Sequence, residues 1–122
     1  MLLNNFFQIS DLHTEGFNVN ATIVINADHK IFAGHFPGHP VVPGVCMMQM
    51  LKEILEQVTG EKQILLKAYD MKFLALIDPN SSNNIQVALK YSVEADGSMI
   101  LTATLFKDEL THFKFKGQFG FQ

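Results

Sequence analysis

The run NVNATIVIN alternates polar and apolar positions around a β-branched centre and predicts a strand within residues 16–27. The period changes further on. Over residues 45–59, Met47, Met48, Leu51, Ile54, Leu55 and Val58 share one broad face at about 100° per residue, with Gln49, Lys52, Glu53, Glu56 and Gln57 on the other. That is an amphipathic helix. Gly60 stands where a left-handed cap belongs, and Pro43 fits just ahead of the helix or in its first turn.

Beyond Gly60 the pattern predicts strands over 64–77, 85–93, 99–106 and 111–119. Asp78-Pro79-Asn80 ends the first, and Asp96-Gly97 reads as a two-residue hairpin turn. In the last strand Phe113, Phe115 and Phe119 alternate with His112, Lys114 and Lys116, so one face should be buried and one wet. One early helix followed by strands on tight turns indicates α+β, a single domain over 1–122 whose antiparallel sheet wraps the helix.

Composition narrows the function. The chain has 122 residues, is 48% hydrophobic and 17% charged, and reads as an ordinary globular domain. A net charge of -3 argues against a nucleic-acid binder relying on bulk positive charge. All 9 basic residues are lysines, which removes the fork-shaped guanidinium. The single Cys46 forms no internal disulfide, and a reducing cytoplasm is the expected compartment. No apolar run is long enough to span a bilayer, and the short greasy start lacks the basic leader of a signal peptide.

Residues 29–44 hold three of the 4 prolines and form a stiff, extended loop of a length usually tied to function. Within it, Gly34-His35-Phe36-Pro37-Gly38-His39-Pro40-Val41-Val42-Pro43-Gly44-Val45 closely resembles the signature of the 3-hydroxyacyl-(acyl carrier protein) dehydratases, the FabZ/FabA-like branch of the hotdog superfamily. The resemblance implies a hotdog fold and a homodimer with its active site at the subunit interface. It implies His35 as the catalytic base and Gly44 as the backbone donor to the thioester carbonyl. The helix position that carries the family's acid falls on Gln49. Phe36, Pro37 and Gly38 of the loop, with Val45 and Met48 of the helix, are the candidate substrate-binding residues.

Dehydration of a 3-hydroxyacyl thioester needs a base for the α-proton, a donor for the enolate-like oxygen and a proton for the departing hydroxyl. Histidine suits the first task and a helix N-terminus the second. Glutamine cannot supply the third; it can only hold a hydroxyl or a water. Losing one general acid costs on the order of 10²- to 10⁴-fold. Glu53, one turn on from Gln49, lies about 40° around the helix and about 6 Å along it. Two readings of Glu53 stay open: a relocated acid acting through Gln49, or a solvated helix residue beside Lys52 and Glu56.

His39 is expected to shape the loop, and His13, His29 and His112 to be solvated. Cys46 reads as a small buried residue. No histidine or cysteine spacing suggests a metal, and no cofactor fingerprint is present. Lys62, Lys67 and Lys72 form a candidate strip for an acidic carrier protein. The expected activity is a dehydratase on carrier-protein thioesters in fatty acid or polyene-type lipid synthesis. Its alternatives are a non-catalytic acyl-binding subunit partnering an active homologue, and a hotdog thioesterase.

Overall fold

The computed structural model describes residues 1–121. Its elements are β1 (Phe7–Glu15), β2 (Asn18–Ile25), the single turn α1 (Ile31–Gly34), α2 (Gly44–Thr59), β3 (Gln63–Phe73), β4 (Asn84–Val93), β5 (Met99–Lys107) and β6 (Leu110–Phe121). The six strands form one sheet in the order β1-β2-β4-β5-β6-β3, with every neighbouring pair antiparallel. With α2 packed on one face, this is the expected α+β hotdog architecture.

The core follows from the strand period of two. Val19, Ala21, Ile23 and Ile25 of β2, Ile85, Val87 and Leu89 of β4, and Met99, Leu101, Ala103 and Leu105 of β5 are buried. Phe113, Phe115 and Phe119 of β6 continue the same face. Against it α2 places Met47, Met50, Leu51, Ile54 and Leu55. Full burial of side chains of this size is worth about 1.5–3 kcal/mol each, so this seam dominates the favourable side of folding.

The helix starts at Gly44 after the extended Pro43 and ends on Gly60, whose φ of 75° allows its N–H to reach the Glu56 carbonyl at 2.8 Å. Several expectations need correction. β1 was not foreseen, because FQISDLHTE is an exposed polar edge strand with little alternation. The strand expected over 64–77 leaves the ladder at Phe73. The hairpin between β4 and β5 closes through Glu94 N–H to Ser98 O at 2.7 Å, leaving three loop residues with Gly97 at φ 88°, not two.

The two sheet edges differ. β1 is polar, with a register shift between Ile9 and Asp11. β3 has only Gln63 buried and exposes Leu66, Tyr69, Met71 and Phe73. An apolar, unpaired edge of that length is a template for another chain.

Candidate functional site

The residues 35–44 are shaped by their own main chain. Phe36 N–H donates to His39 O at 2.9 Å and His39 N–H returns the bond to Phe36 O at 2.8 Å. Pro37 and Gly38, the latter at φ 76°, occupy the corner of that turn, as a type II turn requires. His39 acts here through its backbone, and its side chain is exposed.

His35 follows α1 directly and its ring stacks on Phe36 at 4.2 Å between centroids. Its Nδ1 lies 3.3 Å from the Val41 carbonyl oxygen. A carbonyl can only accept, so this contact puts the proton on Nδ1 and leaves the Nε2 lone pair free. That is the tautomer a general base needs.

Pro43 brings the chain into α2 so that Gly44 and Val45 are its first two residues. Their N–H groups have no carbonyl behind them within the helix, and the helix dipole adds partial positive charge there. A β-carbon on Gly44 would lie 2.7 Å from the Phe73 ring, so glycine is what lets Phe73 close over the helix start. Phe73 is held from behind by stacking on Phe113 at 4.8 Å.

His35, Phe36, Gly44, Met47 and Phe73 together line an open, largely apolar cavity of about 430 Å³, completed by Val41, Val42 and the segment 74–76. The size and lining suit an acyl group. Of the residues expected from sequence, the structure therefore gathers His35, Phe36 and Gly44. Pro37, Gly38, Val45 and Met48 do not line the cavity, and Val45 is 74% exposed. Phe73 and the 74–76 wall were not singled out as a site. Their only signal was hydrophobicity at a strand end, shared with the whole core.

Gln49 and Glu53 lie elsewhere on α2. Gln49 borders a second cavity with Met1, Lys52, Glu56 and Lys62. Its Nε2 donates to Glu53 Oε2 at 2.8 Å. Glu53 is fully buried and also accepts Leu2 N–H at 3.0 and 2.9 Å and Leu3 N–H at 2.7 Å. Burial alone would raise its pKa. The Leu2, Gln49 and Leu3 hydrogen bonds and the terminal ammonium outweigh that and hold the carboxyl below its ordinary value. Glu53 is thus an anion at neutral pH and not a solvated residue.

Glu56 is likewise drawn in, accepting Gln63 N–H at 2.8 Å with Lys52 Nζ at 3.6 Å. Cys46 is buried, and burial raises its thiol pKa, which disfavours a thiolate. His112, expected to be wet, is buried. Lys62 lies beside Met1 and Glu61. The register sets Lys72 opposite Lys114 and Asp70 opposite Lys116. Among the described residues no helix is long and apolar enough to cross a membrane.

The model of the ApeI-like family, described as ApeI dehydratase, matches residues 11–116. The 3-hydroxyacyl-(acyl-carrier-protein) dehydratase FabZ of Clostridium acetobutylicum is 28% identical over 72 residues, 53% of this chain and 51% of the relative. That of Levilactobacillus brevis is 27% identical over 97 residues, 74% of this chain and 66% of the relative. The chain thus spans about half to two thirds of the length of these curated relatives. The structure described as the dehydratase heterocomplex ApeI:P from Xenorhabdus doucetiae superposes with a TM-score of 0.72 at 17% identity, covering 91% of this chain and 95% of that one. At that identity the likeness is one of fold.

Proposed function

The chain belongs to the ApeI-like dehydratase family, a FabZ-like group of hotdog proteins, and on that footing we propose that it converts 3-hydroxyacyl thioesters to 2-enoyl thioesters and water. One observation carries the proposal. A histidine with a free Nε2 and the first amide of a helix face the same acyl-sized cavity.

His35 Nε2 takes the α-proton as the thioester carbonyl gains negative charge, and the Gly44 N–H stabilises that oxygen. The C–O bond at the β-carbon then breaks and the electron pair leaves with the hydroxyl. The imidazolium holds the proton just removed and returns it to the hydroxyl, so water departs and the base is restored. Glu53, held as an anion, is not a proton source; its part is to orient Gln49. Gln49 of the partner subunit would hold the departing hydroxyl. The exposed β3 edge supports a homodimer, and the family resemblance, which puts the active site at the subunit interface, supports that placement of Gln49.

Acyl carrier protein is the proposed carrier, because Lys72, Lys114 and Lys116 lie on the exposed face of β3 and β6, next to the strand end that reaches the cavity. Fatty acid or polyene-type lipid synthesis in the cytoplasm is the proposed setting, with no resident cofactor. A second reading is favoured by the Gln49–Glu53 bond, which leaves no carboxylic acid at that position. The chain would then be an acyl-binding subunit of a mixed assembly with an active dehydratase.

The test is one panel on the purified protein with 3-hydroxyacyl and 2-enoyl carrier-protein thioesters, following enoyl absorbance and free thiol separately. Reversible enoyl formation supports the dehydratase. Thiol release indicates a thioesterase, and silence in both channels with retained acyl binding indicates the subunit role.

A further inference from the structure

The cavity wall that follows β3 is not part of the sheet. After Phe73 the chain leaves its ladder with β6, and residues 74–76 run along the cavity. Leu74 and Leu76 are 54% and 74% exposed, so their own packing does not fix this segment. The buried Ile77 anchors its end, and one residue holds its start. The main-chain carbonyl of His112 accepts the N–H groups of Leu74 at 2.9 Å and Ala75 at 3.3 Å. Its side-chain Nδ1 lies 3.2 Å from the Ala75 carbonyl oxygen, a contact that requires the proton on Nδ1. Ala75 is therefore gripped at both of its main-chain polar groups by His112. Two residues on, Ile77 O accepts Val42 N–H at 2.9 Å and ties the segment to the His35 loop.

The imidazole is an expensive choice for this place. It is 4% exposed, and its Nε2 has no hydrogen-bond partner among the described residues. A buried polar atom without a partner costs free energy that a phenylalanine of similar size avoids. What a phenylalanine cannot supply is the Nδ1 donor to Ala75.

We propose that His112 is a positioning residue that sets which acyl groups the cavity admits, by clamping the 74–76 wall at a fixed distance from His35 and Gly44. His112 does not itself line the cavity. The nature of the ligand rests on the acyl-thioester reading above. A short acyl group lies at His35 and Gly44 and leaves the wall untouched, whereas a longer one packs along it. The clamp therefore acts on long chains and leaves the chemical step alone.

The experiment compares wild type, His112→Phe and His112→Asn on four-carbon and ten-carbon 3-hydroxyacyl thioesters, with amide hydrogen exchange on the same samples. In His112→Phe, loss of one hydrogen bond should raise KM for the ten-carbon substrate about 5-fold, with kcat and the four-carbon KM within about twofold. The Leu74 and Ala75 amides should exchange faster while those of β5 stay protected. His112→Asn, which restores a donor near the Nδ1 position, should recover both readouts. An unchanged chain-length ratio with unchanged exchange overturns the proposal, as does a uniform loss on both substrates. If His112→Phe does not fold, His112→Asn decides alone by keeping or losing the wild-type ratio. If wild type turns over neither thioester, the enzymatic reading fails. Calorimetric binding of a ten-carbon acyl-pantetheine then tests the clamp, and equal affinity in wild type and His112→Phe overturns it.

Discussion

Gln49 and Glu53, one turn apart on α2, are joined by a 2.8 Å hydrogen bond from the Gln49 amide to a carboxylate that also receives the N–H groups of Leu2 and Leu3. The pair belongs to the N-terminal strap as much as to the helix. Replacing Glu53 by Gln keeps the shape but removes the charge and points an NH₂ group at donors. The expected loss is about 2–4 kcal/mol, read by urea denaturation. A loss within measurement error would mean that the strap is not held by this carboxylate.

The same group sets an acid limit. Its carboxyl is held below the ordinary value in the folded chain, so its contribution is fully present above the unfolded pKa of about 4.3 and is lost as pH falls through the lower folded value. Melting temperature measured from about pH 6 downward should fall in that acid window for the wild type. The Glu53→Gln chain should begin lower at neutral pH and fall less steeply. Parallel curves for the two proteins would contradict the assignment.

Glu53 also shows where sequence reading stopped. The helix, its Gly60 cap and the alternating strands were legible because each depends on neighbours within a few residues. The sequence left Glu53 open between a relocated acid and a solvated residue, because its partners lie 51 and 50 residues away, in a segment with no periodic signal. His112 alternates with lysines in the sequence, and neither the register shift of β6 at this point nor its contact with Ala75 is visible there. His35 and Gly44 were visible through a proline-rich motif whose geometry is local. The cavity wall comes from Phe73 at the end of β3 and from residues 74–76 beyond it, which the motif does not contain.

His35→Ala should lower the dehydration rate by on the order of 10²- to 10⁴-fold with little effect on stability, since the half-buried ring makes one long contact to Val41 and stacks only on the exposed Phe36. Enoyl formation by stopped assay checks this. A change smaller than about tenfold would remove His35 from proton transfer.

Gly44→Ala places a methyl group 2.7 Å from Phe73 Cε1 and 2.8 Å from Cζ, closer than real contacts allow. Phe73 must swing off Phe113, opening the cavity beside the helix start. The single variant should lose about tenfold or more in kcat/KM, because the oxygen site is displaced. Adding Phe73→Leu makes room for the methyl group and should recover part of that loss. The double-mutant cycle should show coupling of about 1 kcal/mol or more. Additive losses would mean that the two residues do not share the site.

The β3 edge makes a prediction about assembly. Met71 is 41% exposed in the single chain and lies, with the exposed Leu66, Tyr69 and Phe73, on β3, whose outer edge is unpaired. If a second copy pairs there, Met71→Lys buries a cation at the interface, and sedimentation should show dissociation at concentrations where wild type is dimeric. A wild type that is monomeric alone but joins an active homologue favours the mixed assembly.

Gln49→Glu tests the rest of the site most directly. It sets a second carboxyl at hydrogen-bond distance from Glu53, where 2.8 Å now separates Nε2 from Oε2. Two carboxyls so close cannot both ionise, and one apparent pKa of the pair must rise strongly. Leu2 and Leu3 favour the anion on Glu53, so the proton resides on the new group, a neutral carboxylic acid at the position where the family places its acid. The expected result is a rate gain of about 10- to 100-fold, with an alkaline limb in the pH–rate profile that wild type lacks. A gain from a silent wild type would identify the native chain as a binding subunit with an intact His35 and Gly44. No gain, in a variant that folds and pairs as wild type does, would mean that α2 of one subunit does not reach the cavity of the other.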